Sequence, residues 1–173
     1  MSDTKALGKS INSIIEAFTS DKLAEDLIEE SFGSEIQPNE YYPVDAFLGA
    51  LEKIEKEYGE LVLKSVGKNV MKHAAWPSNI NDLESVLKSI DQAYQMNHQP
   101  SDPSVIGSYK FEKIDDDSYT ITADNPYPCQ FDLGLIEGAA KSFDKAARID
   151  HKEGLCRKRG DNKCVYEIET IKL

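Results

Sequence analysis

The residues of this chain best suited to chemistry lie near its C-terminal end. All three cysteines, Cys129, Cys156 and Cys164, fall there, and the last two frame the charged loop CRKRGDNKC. His151 and Glu153 stand just before Cys156. Three thiolates completed by an imidazole or a carboxylate make a closed, tetrahedral zinc site. The C-x7-C spacing is wider than the usual short pair, but Gly160 can take the positive φ that a tight return requires. Two other readings of the same residues stand beside it. The thiols are unrelated small hydrophobes, or Cys156 and Cys164 form a disulfide. The odd cysteine count and the absence of a secretory pattern rank the disulfide last and point to a reducing compartment, the cytoplasm.

The elements that must position these residues are legible in the periodicity. Apolar positions at Leu7, Ile11, Ile14, Ile15 and Phe18 predict a helix over 4–18, broken at Thr19-Ser20-Asp21. Further helices are predicted from Asp21 to Gly33, from Asp45 to Tyr58, from Leu61 to Ala75 and from Leu83 to Tyr94, with a loop over 34–43. The polar stretch 97–104 then changes the pattern. SYKFEKI and SYTITAD alternate with period two around Asp115-Asp116-Asp117 and predict a hairpin. A helix follows over Phe131–Ala147, in which Gly134 and Gly138 allow close packing on the sheet. Short strands over Ala147–Asp150 and Cys164–Leu173 end the chain. The fold class is therefore α+β: a helical N-terminal half packed on a small, mostly antiparallel sheet, with a β-β-α-β-β C-terminal part. With 173 residues the chain suits one domain, 1–173, divided into a helical part, 1–100, and a C-terminal part, 105–173.

The net charge of −11 repels phosphate backbones and argues against nucleic-acid binding. No apolar run is long enough to span a membrane. No nucleophile–base set, phosphate loop or dinucleotide fingerprint is present, so the expectation is a non-enzyme.

The hairpin, the proline-flanked Cys129, the GLIEGAA helix and the C-x7-C loop before a last strand resemble one superfamily. It holds the heme-nitric-oxide/oxygen-binding (H-NOX) domains, the vinyl-4-reductase domains and a vesicle-transport component. The resemblance implies a structural zinc on Cys129, Glu153, Cys156 and Cys164, with His151 as the competing fourth ligand and Glu153 preferred for its short reach to Cys156. It also implies an apolar pocket between helices and sheet, for which Trp76, Tyr94 and Phe131 are the candidate walls.

The resemblance further implies a stand-alone sensor. It would take a small apolar or aromatic ligand, act through a separate output protein and have the option of a homodimer. Two other readings are a heme- or tetrapyrrole-binding gas sensor and a ligand-free assembly module. In H-NOX domains a proximal histidine and a tyrosine–serine–arginine clamp hold heme. The matching clamp positions here are Thr122, Asp124 and Pro126, with no arginine. Tyr94 stands near the histidine position, and His98, one turn beyond, reads as a solvent-facing loop residue. The expectation is zinc without H-NOX-type heme.

Overall fold

The structure is a computed structural model that describes residues 3–18, 20–143 and 146–171, without the side chains of Asp21 and Ala146. Two antiparallel sheets and seven α-helices position the site among the described residues. The helices are α1 (Gly8–Ile11), α2 (Asp21–Phe32), α3 (Val44–Tyr58), α4 (Glu60–His73), α5 (Leu83–Met96), α6 (Pro103–Ile106) and α7 (Cys129–Lys141). A small sheet orders its strands β2 (Tyr41–Pro43), β1 (Lys5–Leu7) and β3 (His98–Gln99). The larger sheet orders β4 (Ser108–Lys113), β5 (Ser118–Asp124), β7 (Cys164–Ile171) and β6 (Ala146–His151). The architecture is α+β, and the hairpin β4–β5 and the closing strand β7 stand where period two placed them. No helix of the described residues is long and apolar enough to cross a membrane.

The small sheet is the main departure from the sequence reading. The single helix expected over 4–18 is a strand, one turn of α-helix and a 3-10 helix over Asn12–Ala17. Leu7 and Ala6 pair with β2, and Ala6 also pairs with His98 of β3. Ile11 and Ile14 are buried as a helical stripe demands, but the backbone N–H of Val44 bonds the Thr4 carbonyl and draws the first residues into the ladder. Of the break at 19–21, Thr19 lies outside the described residues. So do Asp144 and Lys145, near the end of the helix expected to reach Ala147, and Lys172 and Leu173 of the last strand. The described helix ends at Lys141.

Sequence chemistry and geometry agree at the start of α5. Asp82 is the N-cap. Its carboxylate accepts from the Ser85 N–H at 2.7 Å, and the Ser85 hydroxyl accepts from the Asp82 N–H at 3.0 Å. This reciprocal pair satisfies two donors that the helix cannot.

Helix α7 is buried nearly all round, because α4, α5 and β6 pack against it. Its glycines face α4 and not the sheet. A Cβ on Gly134 would lie 2.0 Å from the Lys64 carbonyl oxygen, and one on Gly67 of α4 would lie 2.1 Å from the Phe131 carbonyl oxygen. The two backbones touch there, so no side chain can yield. Gly134→Ala is expected to destabilise by about 3 kcal/mol, the upper end for overpacking, because the helices must separate and the pocket walls shift with them. A urea midpoint unchanged from wild type would contradict this crossing.

Candidate metal centre and ligand pocket

Four potential metal ligands meet at the C-terminal end of the larger sheet. Cys129 opens α7, Cys156 and Cys164 bound the loop before β7, and His151 ends β6. One ligand atom from each lies within 4.8 Å of all the others. The Cys129 sulfur is 3.6 Å from that of Cys156 and 3.3 Å from that of Cys164. A tetrahedron with bonds of ~2.3 Å needs sulfurs about 3.8 Å apart, close to this spacing.

The loop is shaped for the task. Arg157–Arg159 make one 3-10 turn, Gly160 takes φ 93°, and the Asp161 carboxylate accepts from the Cys156 N–H at 2.8 Å. The Arg157 N–H points to the Cys164 sulfur at 3.3 Å. Lys158 pairs with Glu55 and Glu60 and ties the loop to α3 and α4.

The cysteines are free and buried, which sets aside the disulfide reading in this structure. Without a cation the sulfurs share protons unevenly. A hydrogen bond from Cys129 pulls the Cys164 thiol below its ordinary value, and the same bond pushes Cys129 up. A divalent ion removes that conflict by favouring the thiolates together.

His151, and not Glu153, completes the group. Its ring stacks on Tyr166 at 4.6 Å, and one of its ring nitrogens lies among the three sulfurs. Glu153 is exposed and lies outside the cluster. The preference for Glu153 is corrected for a simple reason. Strand β6 stops at His151, and the chain turns through Gly154 at φ 78°, so Glu153 never shares the strand face. The donor set Cys129, His151, Cys156 and Cys164 fits zinc.

A cavity of about 40 Å³ lies where α4, α5, α7 and the two sheets converge. Trp76, Tyr94 and Phe131 line it, as do His98, Tyr109 and Tyr127, which the sequence reading did not select. Tyr127 stacks on Phe131 with centroids 5.0 Å apart, and Tyr94 meets Tyr109 edge to face at 5.2 Å. The Tyr94 hydroxyl donates to the Ile106 carbonyl at 2.5 Å.

His98 is not a solvent-facing loop residue. It is 5% exposed, with Nδ1 2.7 Å from the Tyr94 carbonyl and Nε2 2.7 Å from the Tyr127 hydroxyl. A carbonyl only accepts, so Nδ1 carries the proton and Nε2 presents its lone pair. Burial lowers the His98 pKa to about 4, and the Tyr94 carbonyl opposes this by favouring the proton. In the unfolded chain a histidine titrates near 6.5. As pH falls from about 6.5 to 4, the unfolded state takes a proton that the folded state refuses, so stability falls by up to about 3 kcal/mol. His98→Gln is expected to remove this component. The difference between urea midpoints of the two proteins should therefore grow smaller, and then favour the variant, as pH drops through that window. A difference constant with pH would place His98 in water.

A buried ion pair joins the two sites. Asp132, one helical turn after Cys129, is fully buried, and its carboxylate accepts from the Tyr109 hydroxyl at 2.5 Å and the Tyr166 hydroxyl at 3.2 Å. Burial pushes its pKa up to about 6, and the adjoining Arg157 guanidinium pulls it back. Arg157 also donates to the Asn125 side chain at 2.9 Å, to the Tyr127 carbonyl at 2.9 Å and to the Ala123 carbonyl at 3.2 Å. One guanidinium next to Cys156 thus holds the turn that carries the pocket's Tyr127. A single acid in a helix's first turn and one arginine in a basic loop give no sign of this in sequence.

For a tetrapyrrole the fit divides. The donor chemistry suits a heme iron: a neutral imidazole whose Nδ1–H is tethered to a carbonyl is the usual state of a metal-ligating histidine. The space is short. A benzene-sized guest takes about 150 Å³ and larger ligands several hundred, so the aromatic rings would have to move aside. The clamp positions bear on neither point. Thr122 and Asp124 alternate with the buried Ile121 and Ala123 and do not line the cavity.

No family model and no curated protein matches the chain. Solved structures do. An H-NOX protein from S. oneidensis in the Fe(II)NO state is 17% identical, with a TM-score of 0.75 over 96% of this chain and 99% of that one. The Fe(II)CO form of an H-NOX domain from Shewanella oneidensis gives 17% and 0.69 over 97% and 99%. An oxygen-binding H-NOX domain related to soluble guanylate cyclases gives 18% and 0.65 over 95% and 93%.

The vinyl-4-reductase side of the resemblance finds no support among these matches. The expectation of zinc without heme is overturned. The neighbours are H-NOX domains, two described by the Fe(II) state they carry and one by its bound oxygen, and the histidine assigned to solvent is buried in the pocket wall. Across nearly its whole length, this chain has an H-NOX-like fold.

Proposed function

We propose that the chain is a ligand-sensing domain that takes its signal in the aromatic pocket beside His98. It passes the resulting shift to a separate protein, and a structural zinc on Cys129, His151, Cys156 and Cys164 holds its C-terminal part together. The observation that carries this reading is the neutral, buried His98, with a lone pair on Nε2 at the wall of an apolar cavity. In a fold whose solved examples are described by bound NO, CO and O2, that nitrogen is the atom that would hold a heme iron. Heme, when bound, supplies the metal on which a diatomic gas coordinates. The chain's own part is to hold the imidazole tautomer through the Tyr94 carbonyl, to exclude water with the rings of Tyr94, Tyr127 and Phe131, and to free Nε2 from Tyr127. The zinc has four protein ligands and no open position, so its role is structural. The role is binding, not catalysis.

Hemin titration tests the iron reading. Wild type is expected to develop a Soret band that shifts on reduction and on exposure to CO, and His98→Ala to lose it. No band in wild type, or the same band in His98→Ala, overturns the assignment of His98. The cavity of about 40 Å³ and its aromatic walls favour a second reading, a small apolar ligand bound without iron. Trp76 is the sole tryptophan and lines this cavity, so its fluorescence reports entry of such a ligand directly.

A further inference from the structure

A groove of about 600 Å³ opens on the surface between the 3-10 helix, α2 and the loop that follows α2. Its floor is apolar: Ile28 and Ile36 are buried, and Ile15 is 38% exposed. Its rim is acidic. Glu25, Glu29 and Glu35 line it, and none of the three has an ion pair among the described residues. Two lysines on α2 and α3 are engaged elsewhere, Lys22 with Asp26 and Lys53 with Glu30.

An apolar floor under three uncompensated carboxylates has a definite complement. We propose that this groove docks a basic amphipathic helix of a separate protein, its apolar face on the isoleucines and its lysines or arginines on Glu25, Glu29 and Glu35. Helix-in-groove recognition uses apolar anchors one helical turn apart, with charged flanks that choose the partner. Other occupants are disfavoured by charge. Anionic lipid and nucleic acid are repelled by a chain of net charge −11, and a second copy brings the same acidic rim.

The groove shares a segment with the pocket. Ser10 lines the pocket and donates to the Asn97 side chain at 3.2 Å, and the Ser13 hydroxyl donates to the Ser10 carbonyl at 2.6 Å. Asn12 and Ile15, on the next turn, line the groove. A ligand that displaces Ser10 therefore moves the groove wall. This link rests on the sensing role proposed above; the docking does not.

The test uses a fluorescein-labelled synthetic peptide of about 14 residues, with leucines at helical i, i+3/i+4 and i+7 positions and lysines elsewhere. Anisotropy is read against the full chain, against Glu25→Lys/Glu29→Lys/Glu35→Lys, and against a control reversal in the hairpin turn, Asp115→Lys/Asp116→Lys. The groove reversal is expected to weaken binding at least tenfold and the control by less than twofold, with higher salt weakening wild type. A scrambled peptide of the same composition should also bind at least tenfold more weakly. Equal loss in both reversals, or equal binding of the scrambled peptide, reduces the interaction to general acidity and overturns the proposal. If the triple variant fails to fold, amide shifts of wild type on adding peptide decide instead. They should cluster on Asn12, Ile15, Ile28 and Ile36, and a cluster elsewhere overturns it. Because no pocket ligand is present, failure here is separate from failure of the hemin titration.

Discussion

Serine in place of Cys164 is expected to leave the protein without zinc and to lower its melting temperature by roughly 8–16 °C. Cys164 is fully buried, begins β7, and meets Cys129 at 3.3 Å, so its sulfur joins the last strand to the start of α7. Structural zinc is worth about 10–16 kcal/mol of binding in zinc-finger peptides, and in a chain whose buried apolar core extends well beyond the four ligands the expected net cost is smaller. A net cost of ~4 kcal/mol then corresponds to roughly 8–16 °C at this size. His151→Ala should lose zinc as well, since the fourth donor of the cluster leaves with the ring. Glu153→Ala should keep one zinc per chain, because its exposed carboxylate lies outside the cluster. Native mass spectrometry reads all three. Zinc retained in Cys164→Ser, or lost only in Glu153→Ala, would dismantle this site.

The second large effect lies at Arg157. Arg157→Ala is expected to cost about 3–5 kcal/mol, the range for breaking a buried ion pair from one side. The loss exceeds a contact because Asp132 is fully buried and its carboxylate is left uncompensated, while the Asn125–Tyr127 turn loses its donors. Arg157→Lys should recover only part of it, since one ammonium cannot reach as many acceptors as the planar fork. Asp132→Asn in the Arg157→Ala background should restore some stability by removing the stranded charge, so the two substitutions will not add. Urea midpoints measure the cycle, and zinc content separates it from damage to the metal centre. Strictly additive costs would show that the pair is not coupled.

Some of this protein was determined by local chemistry. Period two in SYKFEKI and SYTITAD fixes a strand face whatever surrounds it, and β4 and β5 pair in that register. Asp82 and Ser85 cap a helix with atoms three residues apart. Cys156, Gly160 and Cys164 make their loop within nine residues, so their meeting was legible from spacing.

The rest depended on partners distant in the chain. His98 sits in a strand of two residues, too short for any periodicity, and is buried because its backbone pairs with Ala6 and its ring packs against Tyr94 and Tyr127. Glu153 and His151 are equivalent on paper, two residues apart. The pairing of β6 with β7 ends at His151, opposite Tyr166, and the turn beyond delivers Glu153 to water. Asp132 looks like an ordinary acid in a helix's first turn, and its burial follows from packing on every side of α7. Short-range spacing and capping determined the elements and the thiols. Which imidazole, carboxylate and guanidinium left water was decided by tertiary packing, since burial is a property of the neighbours a side chain meets and not of its place in sequence.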